Sequence, residues 1–113
     1  MTARPEPTRD LGPFQDIWDA WDEAHQQVTA KPLKHFEAAA GHQFTELRAH
    51  LASGDRDAAA NEAIDVISIG LNVLRWLDYR PDEIAAAARA RAGRRMRGRT
   101  LAILEKYERL YGV

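Results

Sequence analysis

The chain is predicted to fold as an all-α antiparallel bundle of four to five helices, completed by oligomerisation. Three observations say so. Apolar residues recur at three- and four-residue spacing, no segment alternates like a strand, and short breaks rich in Pro, Gly and Asp separate the periodic stretches. Residues 1–13, with three prolines, two arginines and little to bury, read as a flexible N-terminal arm ahead of a single helical domain over 14–113. Pro13 is placed to open a helix.

The first amphipathic helix runs from Phe14 to about Thr29, with Phe14, Ile17, Trp18, Trp21, Ala24 and Val28 on one face and Asp19, Asp22 and Glu23 opposite. Lys31-Pro32 ends it. Leu33, Phe36, Ala40, Phe44, Leu47 and Leu51 mark a second helix, which Ser53-Gly54-Asp55 terminates. The turn is short, so a third helix, about Arg56 to Leu77, returns antiparallel. It is apolar nearly all round, as in a helix covered on several sides, and a second subunit would supply part of that cover. Asp82 and Glu83 favour the start of a fourth helix that runs into an arginine-rich stretch weakened by Gly93 and Gly98. Thr100 is a candidate N-cap for a last helix, Leu101 to Tyr111, stopped by Gly112.

Composition narrows the chemistry. The chain has no cysteine, which excludes disulfides, thiolate metal sites and cysteine nucleophiles, so any metal is held by oxygen or imidazole. The formal charge of -1 conceals an asymmetry, since residues 89–99 hold six arginines and no acid. No stretch is long and apolar enough to span a bilayer, and no signal-peptide pattern opens the chain, so the expected location is cytoplasmic, with no membrane partner.

The candidate site is a set of oxygen donors. Gln43-x-x-Glu46 on the second helix and Glu62-x-x-Asp65 on the third each place two side chains on one helix face, and Asn72 continues the line through Glu62, Asp65 and Ser68. Oxygen-only ligation from two antiparallel helices favours Mg²⁺, or Mn²⁺, and magnesium commonly completes its shell with phosphate oxygens. Helical spacing also brings His42, Glu46 and His50 to one side of the second helix, a possible but weaker transition-metal arrangement. The plain alternatives are solvated or ion-paired acids, an Asn72 that fixes helix register, and tryptophans 18, 21 and 76 that belong to the core or an interface.

These residues carry a family resemblance. Gln43-Phe44-Thr45-Glu46-Leu47, Gly54-Asp55, Glu62-Ala63-Ile64-Asp65-Val66-Ile67, Leu71 to Leu77 and Pro81-Asp82-Glu83 resemble the MazG-like all-α nucleoside triphosphate pyrophosphohydrolases, in unbroken register from about residue 43 to 97. That signature is Glu-x-x-Glu, a spacer, then Glu-x-x-Asp, often with Asn seven residues after the Asp. Glu46, Glu62, Asp65 and Asn72 match, and Gln43 stands where the family has its first glutamate. The resemblance implies an Mg²⁺-dependent hydrolase that splits a nucleoside triphosphate into monophosphate and pyrophosphate. It further implies Glu46, Glu62 and Asp65 as catalytic and metal-binding residues, with Gln43 as a neutral fourth ligand. Where the family places an asparagine or lysine near the phosphates, this chain offers Arg89, Arg91, Arg94 and Arg95, which would bind substrate with Asn72. The expected assembly is a homo-dimer or homo-tetramer with its site near or across the interface. Two other functions compete: a degenerate bundle that binds nucleotides without turning them over, motivated by Gln43, and a nucleic-acid-binding module using the arginine run. Against nucleic acid, the run has no interleaved aromatic and the first half of the chain is acidic.

Overall fold

The computed structural model describes residues 9–113, and among these all regular structure is helical. Two long helices dominate: α3 (Leu33–Ala52) and α4 (Arg56–Trp76), which form the most extensive packing in the molecule. (The shorter α1, Gln15–Ala20, and α2, His25–Thr29, precede them.) Their boundaries follow local chemistry. Pro32 enters α3 in extended conformation, Gly54 turns the chain at φ +75°, and the Asp55 carboxylate accepts the Ala58 N–H at 3.0 Å to cap α4.

Two contacts fix the register of this antiparallel hairpin. Near its base the Phe36 and Trp76 rings meet edge-on at 6.1 Å, and near its tip His50 Nε2 lies 3.3 Å from Glu62 Oε1. Both pairs satisfy the same antiparallel register, so Glu46 stands level with Val66, Gln43 with Ile69 and Ala40 with Asn72. At 3.6 residues per turn, the hairpin then has two distinct sides. One carries His42 and Glu46 from α3 with Asp65, Ser68 and Asn72 from α4. The other carries Leu33, Phe44 and Leu51 from α3 with Ala63, Ile67 and Gly70 from α4.

The N-terminal segment covers the first side. Arg9 pairs with Asp16 at 2.9 Å and Leu11 packs beside Trp18, so the arm expected over 1–13 is tied down from residue 9; residues 1–8 lie outside the described residues. The single first helix expected from the sequence is divided into α1, a 3₁₀ turn at Trp21–Ala24, and α2. The cause is a side chain from α4. Arg75 Nη2 donates to the Trp18 carbonyl at 2.7 Å, Nη1 donates to Asp22 Oδ1 at 2.8 Å, and the guanidinium lies 3.9 Å from the Trp18 ring centroid. A side chain that enters the backbone ladder of a helix distorts it. His25 Nδ1 also lies 3.0 Å from Nη1 and can only be the acceptor, because guanidinium has no lone pair to offer.

After α4, Asp78 adopts φ +69° and the chain turns into α5 (Pro81–Arg91), whose start is held by Arg80 N–H donating to Glu83 Oε1 at 3.0 Å. Ile84 joins Trp18 and Leu71 in a small core. The helix then widens into a π turn at Ala92–Met96, closed by Arg97 N–H donating to the Ala92 carbonyl at 2.9 Å. Gly98 at φ +77° breaks it, and α6 (Thr100–Tyr111) follows. Thr100 is the first helical residue rather than the cap: the cap position is Arg99, which offers no acceptor, and Gly112 ends the helix in left-handed conformation as expected.

The chain is extended. Its radius of gyration is 17.0 Å, against about 13 Å for a compact domain of this length. No side chain among the described residues is fully enclosed, and α6 projects with little packing against the rest.

Arg75 is 2% exposed at its side chain and its partner Asp22 is 60% exposed, so the buried cation matters more than the pair. Arg75→Ala is expected to cost about 3 kcal/mol in urea unfolding, through the lost ring stacking, carbonyl bond and filled volume. Asp22→Asn should cost under about 1 kcal/mol, since the carboxylate is largely solvated. The reverse order would make the ion pair, and not the Trp18 contacts, the anchor.

Candidate functional site

The site is built along the acid-bearing side of the α3–α4 hairpin. Glu62, on the first half of α4, points between the helices and is held by His50, an ion pair whenever the imidazole is protonated. One turn back on α3, Glu46 lies 3.8 Å from His42 Nε2. Asp65 stands on the same side, at the level of Glu46, and is exposed. It is therefore not one of the buried acids that an apolar α4 had suggested. Gln43 is a turn further toward the base. Its Oε1 is enclosed and accepts no hydrogen bond among the described residues. A buried amide oxygen left without a donor costs about 1–3 kcal/mol, so this position favours a positive partner.

The donors are thus aligned but not gathered. Among the described residues no three His, Asp or Glu side chains come close enough together to hold a metal ion. Drawing them together would require Glu62 to leave His50 and Glu46 to leave His42. As donors the set fits a hard divalent cation: every candidate ligand is oxygen, and the buried Gln43 Oε1 has lone pairs that no donor among the described residues uses.

Above the carboxylates, the same side carries a polar line that ends in the core. Ser68 Oγ accepts the Trp21 Nε1–H at 2.9 Å, Asn72 is 6% exposed, and Arg75 closes the line beneath Trp18. Trp21 keeps 39% of its surface exposed while its indole N–H is engaged. It therefore presents a ring at the upper lip of the acid-bearing side. Trp18 belongs to the core, and Trp76 donates its Nε1–H to the Lys31 carbonyl at 2.8 Å, which fastens the α2–α3 connection to the end of α4. Sequence reasoning missed Arg75 and the Trp21–Ser68 bond. The available signal was Arg75 itself, a cation on an apolar stretch of α4, three residues after Asn72 and seven after Ser68 on one face.

The arginines stand elsewhere. Arg91, Arg94 and Arg95 line a pocket of ≈ 410 Å³ with Ala87 and Ala90, formed by α5 and the π turn alone. The π turn sets this arrangement by swinging Arg94 and Arg95 round from the α-helical phase. Among the described residues none of the arginines from 89 to 99 forms an ion pair with an acid, so the pocket is strongly positive. No residue of α3 or α4 lines it, so one chain does not bring these arginines to the carboxylates. A neighbouring apolar pocket of ≈ 270 Å³, between Leu74, Ile84, Ala87, Ala88 and Arg91, marks where α5 leaves α4.

Compared with models of protein families, with curated proteins and with solved structures, the chain gave no match.

Proposed function

We propose that the chain is an Mg²⁺-dependent nucleoside triphosphate pyrophosphohydrolase, with Mn²⁺ as an alternative ion, that works as a homo-oligomeric helical bundle. The observation that carries this reading is the alignment of four oxygen donors, Gln43, Glu46, Glu62 and Asp65, along one antiparallel hairpin, with a buried oxygen of Gln43 left unpaired. The exposed ring of Trp21 at the lip of that side supports it, because an aromatic face is what a base stacks upon.

In this reading Glu46, Glu62, Asp65 and the Gln43 carbonyl oxygen hold the ion. When bound, it neutralises phosphate oxygens and makes a water more acidic. One of the glutamates accepts a proton from the attacking water as the water oxygen bonds to phosphorus and a phosphoanhydride bond breaks, leaving monophosphate and pyrophosphate. His50 and His42 hold Glu62 and Glu46 in place, and both carboxylates would have to leave these imidazoles to hold the ion. The unpaired arginines offer forked donors for the phosphates.

A second reading has its own support. Both glutamates are engaged by histidines and Gln43 removes one formal charge from the set, which suits a bundle that binds nucleotides without turnover.

Pyrophosphate release from a panel of ribo- and deoxyribonucleoside triphosphates separates the two. With Mg²⁺ or Mn²⁺ the native chain is expected to release pyrophosphate, and Glu62→Ala to lose at least about 100-fold of that rate. Nucleotide binding without release from any member of the panel would instead establish the degenerate form. Gln43→Glu supplies the missing charge. It should lower the Mg²⁺ concentration for half-maximal rate and raise turnover. In the absence of metal it should cost about 1–3 kcal/mol of stability, because the added carboxylate replaces a buried neutral oxygen. Equal unfolding midpoints with and without Mg²⁺ in this variant would remove Gln43 from the ligand set.

A further inference from the structure

Helix α6 is the most exposed apolar element of the chain. Ile103, Leu104, Tyr107, Leu110 and Tyr111 form a continuous stripe opposite Glu105, Lys106 and Arg109, and Leu104 and Leu110 are 62% and 55% exposed. A helix of 12 residues is only marginally stable alone in water, so this one needs a surface to lie on. Among the described residues its own chain gives it little.

The protein as a whole points to the same need. Its accessible surface is 8916 Å², against about 6,200 Å² for a compact monomer of this mass. That excess is well above the roughly 800 Å² per partner that a stable protein–protein interface buries. A second uncovered apolar face lies on the side of the hairpin away from the carboxylates. Leu33, Phe44, Leu51 and Ile67 are all exposed there, and a Cβ added at Gly70 would meet no atom within 4 Å. Together these residues make a largely apolar strip, crossed on α3 by Glu37 and Arg48. A 12-residue helix is about 18 Å long, which such a strip accommodates.

We propose that α6 docks on this apolar side of the α3–α4 hairpin of a second copy of the chain, reciprocally, so that two chains exchange their C-terminal helices. The basic entry to α6, Arg97 and Arg99, suits the tip of the hairpin, where Asp55 and Asp57 outnumber Arg56, so the N-terminus of α6 lies there; along α6 itself Glu105 and Glu108 are balanced by Lys106 and Arg109 and add no preference. Each docking event covers both uncovered faces at once, and reciprocal exchange closes the assembly at two chains without leaving a free face to propagate. The contact rests on the oligomeric part of the function proposed above and not on its chemistry, so the two fail separately.

The absence of cysteine makes the contact directly measurable. Ile67→Cys and Tyr107→Cys, both surface changes, are mixed and treated with a short bismaleimide, and the masses of the products are read. A covalent dimer that joins position 67 of one chain to position 107 of the other is the expected product. Light scattering should show a dimer for the native chain and a monomer for Leu104→Asp, with helicity by circular dichroism kept in both. Products joining only 107 to 107 would mean that α6 pairs with itself, and products joining only 67 to 67 that hairpins pair face to face. Either overturns the exchange. So would a monomeric native chain, a cross-link within one chain of the double variant, or a monomer whose α6 is sequestered only on anionic vesicles. Pyrophosphate release measured on the same samples reports the chemistry independently.

Discussion

The fold depends on a single buried cation. Arg75 is the point at which residues 9–30 are attached to the hairpin: its guanidinium reaches the Trp18 carbonyl, the Trp18 ring, Asp22 and His25 from one position on α4. A guanidinium suits this place because its planar fork satisfies several acceptors while its face stacks on an indole. The desolvation cost of that charge is offset only while all these partners are present, which makes attachment of the N-terminal segment cooperative rather than gradual. Its Nε, enclosed without a partner, shows that the offset is incomplete. The position of Trp21 follows from that attachment. With Trp18 clamped from below, the 3₁₀ turn swings the next tryptophan over Ser68, at the lip of the acid-bearing side.

The hairpin supplies the second constraint, which is to keep the acidic and the exposed apolar side chains on different sides. An antiparallel pair with fixed register divides its non-contact residues into two strips, and here one strip is carboxylate, amide and hydroxyl while the other is mainly Leu, Phe, Ile, Ala and Gly, with Glu37 and Arg48 among them. The core that the single chain builds around Trp18, Leu71 and Ile84 is small, and large apolar side chains are left on the surface. Folding of one chain therefore leaves hydrophobic burial incomplete. The exposed apolar strip lies opposite the carboxylates, so covering it would not close the donors to solvent.

Much of this was legible in the sequence, for local reasons. Pro32, Ser53-Gly54-Asp55 and Pro81 are punctuation whose effect needs no distant partner, and α3 and α4 fall within a residue of their expected ends. The division of the first helix was not legible, because its cause sits on Arg75, far along the chain. The exposure of Asp65 was hidden for a related reason: an apolar helix suggests burial on every side, but periodicity cannot say which sides a single chain covers. Thr100 resembled a cap by type, yet the backbone turn at Gly98 delivers Arg99 to the cap position instead. The alignment of Gln43, Glu46, Glu62 and Asp65 came from spacing alone. Their separation from the arginines did not, since it depends on where α5 leaves α4.

Gln43 shows how the site and the fold constrain each other. Its side-chain oxygen lies inside the hairpin at the level of Ile69, where α3 and α4 present apolar neighbours to one another. A carboxylate in that place would be a buried charge, tolerable only with a cation beside it. The amide keeps an oxygen at the position while carrying no charge, so the hairpin closes there without burying a charge. The two other acids near the helix interface use the same device in another form. Glu62 and Glu46 each have an imidazole within reach, and an imidazole is a partner that a harder, more highly charged ion can displace. A neutral oxygen at one position and imidazole partners at two others let the hairpin close over these side chains at the cost of one buried oxygen left unpaired among the described residues.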